Sequence, residues 1–193
     1  MRKDLPVGSV AELIAYAKTN PGKLNYASSG VGTTLHLSAE LFKKMAGVDI
    51  AHVAYRGGAP ALNDLVGQSV DLMFDNIPGV IGQARAGTVK ALAITTAKRS
   101  SLAPEYPPIA ETLPGYETTS WAGVGVRAGT PKEICERIEA ETRTICRDQV
   151  LRERLASLVT EAVGSSGLEF AAFIAAERSK WANLIPGLKQ RVD

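Results

Sequence analysis

An α/β lobe, a mostly parallel sheet flanked by helices with a helix-rich segment after it, is the fold class this sequence predicts. Two features predict it. Short apolar runs alternate with stretches of helical periodicity. Each of the first runs closes on glycine, hydroxyl or acidic residues that lead straight into a helix start.

The elements can be justified in order. Ser9-Val10-Ala11-Glu12 is a capping box that opens a helix through about Lys18, stopped by Asn20-Pro21-Gly22. Residues 24–27 read as a short strand. After the loop 28–32, a helix runs from Thr33 to about Ala46, with Leu35, Leu37, Leu41, Phe42 and Met45 on its inner side and Gly47 ending it. Residues 50–55 form the next strand, and Arg56-Gly57-Gly58 leads into a helix over 59–66. Residues 70–74 form a third strand, followed by Asp75-Asn76 and a helix opening at Pro78. A fourth strand is expected at 89–95 and another at 116–126, joined by an ordered crossing segment rich in Pro and Ser. Helices follow at 131–147, 149–158 and 168–185, with a brief strand at 160–163.

Composition excludes several classes. With 45% apolar and 22% charged residues the chain is ordinary globular protein, neither disordered nor fibrous. The net charge of +2 is spread without blocks of one sign, so nucleic acid is not an expected partner. No apolar run reaches the ~20 residues that cross a bilayer, and residues 1–6 lack the apolar stretch of a secretory signal. Cys135 and Cys146 fall in one expected helix, roughly 16 Å apart along its axis, too far for the ~7 Å that a disulfide allows. Two histidines without clustered carboxylates or cysteines give no metal set, and no cofactor is expected.

The chemistry points to the ends of the strands. In Tyr26-Ala27-Ser28-Ser29-Gly30-Val31-Gly32-Thr33-Thr34 a strand ends, glycines turn the chain and a helix begins. The first N–H groups of a helix lack internal partners, and the dipole adds positive charge there, which suits a carboxylate or phosphate oxygen. Taken alone the loop is equally a plain capped helix. Tyr55-Arg56-Gly57-Gly58-Ala59-Pro60-Ala61 repeats the design, and Phe74-Asp75-Asn76 ends a third strand. In an open parallel sheet these ends share one edge, where ligands sit. Asp75 either accepts from a ligand hydroxyl or amino group or caps the following helix.

Enzymatic readings carry less. Ser28 or Ser29 with His36 and Asp75 could be drawn as a triad. However, the serines are outside any Gly-x-Ser-x-Gly elbow, and one helical turn separates His36 from the loop. His36 is expected to pack or hydrogen-bond near the helix start, and His52 to be a satisfied core or interface residue. The chain is therefore read as non-catalytic, with a small-molecule enzyme or the effector domain of a transcription regulator as alternatives.

These residues resemble the substrate-binding proteins of tripartite tricarboxylate transporters, the Bug family of periplasmic receptors. The resemblance is carried by Ala15-Tyr16-Ala17-Lys18, Asn20-Pro21-Gly22-Lys23-Leu24, Tyr26–Gly30 with Thr33 and His36-Leu37, and Tyr55–Ala61. It continues through Asp71–Asn76, Ala91-Leu92-Ala93, Leu113–Glu117, Ser120–Gly123 and Ala128–Pro131, so it spans residues 5–186. It implies a lobe of the type II periplasmic-binding-protein kind, in a clamshell that closes on a small organic acid or acidic amino acid. The acid is then delivered to the membrane components of the transporter.

Carried over, the ligand contacts fall on Ser28, Ser29, Gly30, Thr33 and Thr34, with Gly57, Gly58, Ala59 and Asp75 as further candidates on the same edge. Residues 5–118 correspond to the ligand-binding second lobe and 119–193 to the segment that would complete the first. The family form is periplasmic, whereas this chain shows neither a signal peptide nor the family's first-lobe Pro-Phe-x-x-Gly-Gly loop. It is therefore expected to bind its acid weakly by itself. Its C-terminal helices are expected to bury Leu155, Leu158, Phe170, Phe173 and Trp181 against the lobe or, as a homodimer, against a second copy.

Overall fold

A capping box sets the first helix. In the computed structural model, which describes residues 1–182 and 184–187, α1 (Val10–Thr19) starts where Ser9 Oγ accepts the Glu12 N–H at 3.2 Å. Glu12 in turn accepts the Gly8 N–H at 2.8 Å, one residue earlier than in the usual reciprocal box. Val10, Leu13 and Ala17 form its buried face.

Three parallel strands follow, β1 (Asn25–Ser28), β2 (Ala51–Ala54) and β3 (Leu72–Met73), in the spatial order β2-β1-β3. Between them lie α2 (Thr34–Ala46) and α3 (Gly58–Val66), and α4 (Ile77–Arg85) comes after β3. The side chains of β1 alternate between two cores, as the pleat requires. Tyr26 joins Leu13, Ala39, Phe42 and Ile50 under α1 and α2. Ala27 joins Ala61, Leu65 and Val70 on the opposite side, with Val80 and Ala84 of α4 against them. The chain thus leaves β1 toward one face of the sheet and leaves β2 and β3 toward the other. Register at the β1/β3 seam is pinned by a reciprocal pair, the Asn25 N–H to Asp71 Oδ2 at 2.8 Å and the Asp71 N–H to Asn25 Oδ1 at 3.1 Å.

Several expectations need correcting. Residues 89–95 do not extend the sheet, and only isolated bridges form, Arg2 with Val89 and Ile94 with Pro108. Their backbone groups are taken by the chain start and by the crossing segment: Lys90 N–H donates to the Met1 carbonyl at 2.9 Å and Ile94 N–H to Pro107 at 2.9 Å. An apolar cavity of about 140 Å³ is lined by Met73, Val80, Ile81, Ala84 and Leu92 among others. Residues 116–126 also form no strand. Tyr116 and Thr118 are buried, but Trp121–Gly129 is exposed and irregular, and 160–163 has no ladder either. A strand without a neighbour leaves its polar backbone groups to water, so apolar alternation alone cannot create it. On α2 the buried stripe is Leu35, His36, Ser38, Ala39, Phe42 and Ala46, while Leu37 and Leu41 form its rim and Met45 is exposed. The helical period selects the i, i+3, i+4, i+7 set, and Met45 falls outside it.

Contacts divide the chain into one unit over Met1–Ser120 and a second opening at Trp121. The second contains α5 (Lys132–Arg147), α6 (Gln149–Ser157), capped by Asp148 accepting the Leu151 N–H at 2.8 Å, and α7 (Gly167–Ala182). None of these three helices has a buried residue. Trp121, Phe170 and Phe173 meet edge to face at 5.3 and 5.5 Å. The expected span of the last helix includes residue 183, which lies outside the described residues. Cys135 and Cys146 are both free thiols.

Candidate ligand-binding site

Because all three strands are parallel, their carboxyl ends lie on one edge, and the structure brings the three predicted loops together there. Tyr55 N–H donates to the Ser28 carbonyl at 3.0 Å, joining the β1 and β2 loops. A Cβ at Gly30 would stand 3.7 Å from the Tyr55 carbonyl oxygen, and Gly30 has φ +130, which a side chain rarely tolerates. Asp75 links the other two helix starts. A Cβ at Gly58 would lie 4.0 Å from its Oδ1, and one at Gly79, in the first turn of α4, 3.5 Å from its Oδ2. The edge is also where the chain's exit from the sheet changes face between β1 and β3, the place at which such sheets open a crevice.

Each helix start presents donors. α2 is capped by Thr33, whose Oγ1 accepts the His36 N–H at 3.4 Å and donates to the Gly30 carbonyl at 2.7 Å. Among the described residues the N–H groups of Val31, Thr34 and Leu35 have no hydrogen-bond partner. α3 and α4 start at Gly57 and Asn76, and neither has a side-chain cap bond. Pro60 and Pro78 carry no N–H, and the Gly79 N–H donates to the Asn76 carbonyl at 2.9 Å. Among the described residues it is therefore the N–H groups of Gly58, Ala59 and Ile77 that are left to solvent or ligand, where anions are favoured.

The predicted residues do not all stand alike. Ser29, Gly30, Thr33, Thr34, Gly57 and Gly58 are partly exposed and Ala59 is exposed. Ser28 is wholly buried: its Oγ accepts the Gly30 N–H and reaches the Gly30 carbonyl, both at 3.2 Å, and lies 2.6 Å from His52 Nε2. Asp75 does not reach the second or third N–H of α4 as a capping side chain would. Its Oδ1 accepts the adjacent Asn76 N–H at 2.8 Å, and burial pushes its carboxyl up from the ordinary value against that bond.

The imagined triad is not assembled, since the imidazole at Ser28 is that of His52. A serine with no accessible surface also cannot reach a substrate. His36 is buried, and its Nδ1 accepts the Gly32 N–H at 3.1 Å. His52, expected to be a satisfied core or interface residue, is satisfied by the loop's first serine and by packing against Tyr26 and His36. Its signal was present in the alternation of β1, where Tyr26 and Ser28 share a face. It becomes readable only with the register that sets Tyr26 opposite His52.

A parallel three-layer lobe with glycine-built helix starts converging at a change of face defines a solute-binding lobe of the periplasmic-binding-protein kind. The model of the tripartite tricarboxylate transporter family receptors, TctC, matches residues 1–189, and the chain belongs to that family. It is 37% identical over 178 residues to the UPF0065 protein in the tcbD-tcbE intergenic region of Pseudomonas sp. (strain P51), covering 91% of this chain and 53% of that protein. Among solved structures, R. palustris Rpa4515 with adipate is 41% identical with a TM-score of 0.89, covering 95% of this chain and 62% of that one. The periplasmic binding protein BugD is 31% identical with a TM-score of 0.86, covering 96% and 63%. The chain spans about half the length of the curated relatives it matches. Receptors of this family are periplasmic binding proteins that bind organic acids.

Proposed function

We propose that this chain is a non-catalytic receptor lobe that holds one carboxylate of a small organic acid or acidic amino acid at the shared strand-end edge. The whole protein presents that acid, in the periplasm, to the membrane components of a tripartite tricarboxylate transporter. Residues 5–118 supply the binding lobe, with the oxygens received by Ser29, Gly30, Thr33 and Thr34 from one side and by Gly57, Gly58 and Ala59 from the other. Ser28 serves by shaping the loop from beneath. Asp75, next to these donors, suits a ligand hydroxyl or ammonium better than a second carboxylate.

One observation carries the reading: three helix starts, two of them without side-chain caps, meet within contact distance on one edge. Each charge-assisted hydrogen bond contributes about 1.5–3 kcal/mol. Two of them on one lobe give roughly millimolar capture, short of the ~8 kcal/mol that micromolar binding needs. The bound relative with adipate supports a dicarboxylate as first probe.

The test is amide-resolved NMR of the chain titrated with adipate, citrate and aspartate, a method that registers weak binding. Saturable shifts concentrated at Ser29, Gly30, Thr33, Thr34, Gly58 and Ala59 are expected for at least one of the acids. Shifts centred elsewhere, or none with any of the three, would overturn the assignment.

A further inference from the structure

Two imidazoles lie beneath the loop, outside the set of residues proposed to receive the acid. His36 is 2% exposed, and because its Nδ1 accepts the Gly32 N–H at 3.1 Å that nitrogen carries a lone pair. His52 packs against it with ring centroids 4.3 Å apart, and Tyr26 stacks on His52 at 4.7 Å. The His52 Nε2 meets Ser28 Oγ at 2.6 Å, and that hydroxyl braces Gly30 at both its N–H and its carbonyl. Two of the contacts that hold the 28–33 loop, at Ser28 and at Gly32, therefore rest on histidine.

We propose that the His36–His52 pair is a positioning device for the acid-binding loop, one that keeps it in its capturing shape only while His36 is neutral, so that acidification releases the acid. This rests on the receptor reading above. Protonated at Nδ1, His36 would set an N–H against the Gly32 N–H, and either the ring or the loop must move. The groups facing His36 are Tyr26 from β1 at 6.4 Å, His52 from β2, and Glu40 and Lys43 from its own helix. Glu40 is the anion among them, but it already accepts from the Tyr26 hydroxyl at 2.7 Å and from Lys43. Burial favours its neutral form, yet these two bonds hold its carboxyl below the ordinary range.

Burial first, and His52 next, hold the His36 imidazole below its ordinary 6.5. A depressed folded-state value means that the neutral contact is fully present above that ordinary value. It is lost as the pH falls through the folded-state value. A cation fixed under the loop would instead attract the acid, but the cost of charging a buried ring against a second imidazole drives it out of place.

Two variants test this. His36→Asn keeps an acceptor for Gly32 and cannot take a proton, while His36→Phe keeps a ring and removes the acceptor. The Gly32 amide, the histidine ring signals and adipate binding are followed by NMR from about pH 8 down to about pH 4, from above the ordinary imidazole value to well below it, until the His36 ring signals show its protonation. The Gly32 amide is expected to shift with the His36 ring. Affinity relative to His36→Asn should fall about tenfold or more, the worth of one charge-assisted bond. The ratio to His36→Asn removes the acid's own titration. His36→Phe, if folded, should bind weakly throughout, and if it does not fold the His36→Asn comparison decides. A Gly32 amide indifferent to His36, a constant affinity ratio, or tighter binding on acidification would overturn the proposal. If Gly32 follows His36 while adipate shifts no amide at any pH, it is the receptor reading that fails and the histidine seat that stands.

Discussion

At Gly57 the backbone has φ +114 and ψ 168, yet a Cβ there would meet nothing within 4 Å. The space is open and the conformation alone requires glycine. Gly57→Ala is accordingly expected to lower stability by about 1–3 kcal/mol, the cost of holding a side chain in that region, and to weaken acid binding by turning the α3 N–H groups away. Urea unfolding checks the first, and an unchanged midpoint would show that the loop relaxes freely. Asp75 poses the opposite case, a carboxylate kept where its charge is disfavoured. Asp75→Asn should tighten the binding of adipate, whose second charge it no longer repels, and loosen that of aspartate, whose ammonium loses its acceptor. Parallel titrations with the two acids give the answer, and a shift in the same direction for both would remove Asp75 from the ligand's surroundings.

Among the elements, those specified by short-range signals were legible and those requiring a distant partner were not. The α1 start is an instance of the first kind, because Ser9 and Glu12 act within four residues of each other. Removing the cap by Ser9→Ala should cost about 0.5–2 kcal/mol and appear as a lower melting temperature without change in acid binding, since the cap is not among the strand-end loops. A loss of binding at unchanged stability would contradict that separation. The glycine turns after β1 and β2 and the three parallel strands were readable for the same local reason. The strand expected at 89–95 was not, because whether it pairs depends on what competes for its backbone, and the N-terminal residues and the Pro107–Ile109 turn take those groups. The candidate residues Ser28, Ser29, Gly30, Thr33, Thr34 and Gly57–Ala59 were read from their own motif. His52 beneath Ser28 was not, since two residues 24 apart in sequence become partners only through the register of β1 against β2.

For the molecule as a whole, the distribution of apolar surface is uneven. The unit over Met1–Ser120 holds two buried clusters with Tyr26, Ala27, Ala61 and Tyr116 fully covered. In the unit opening at Trp121, Val124, Ile145, Val150, Val163 and Leu168 are between 56% and 87% exposed. Phe173 at 38% and Leu158 at 41% are also partly open to water. Residues of this kind are ordinary singly, but with Ile145, Val150 and Leu168 on three helices that have no buried face they mark surface suited to association. The isolated chain is therefore expected to self-associate through the second unit, with a sedimentation coefficient that rises with concentration. Val150→Asp with Leu168→Asp should lower it toward the monomer value, because burying a carboxylate in an apolar contact is strongly unfavourable. The same double variant should leave the acid-induced shifts at Ser29–Thr34 intact, as those residues belong to the other unit. A chain that sediments as a monomer at every concentration, with or without the aspartates, would mean that these side chains tolerate water and that the second unit needs no partner surface.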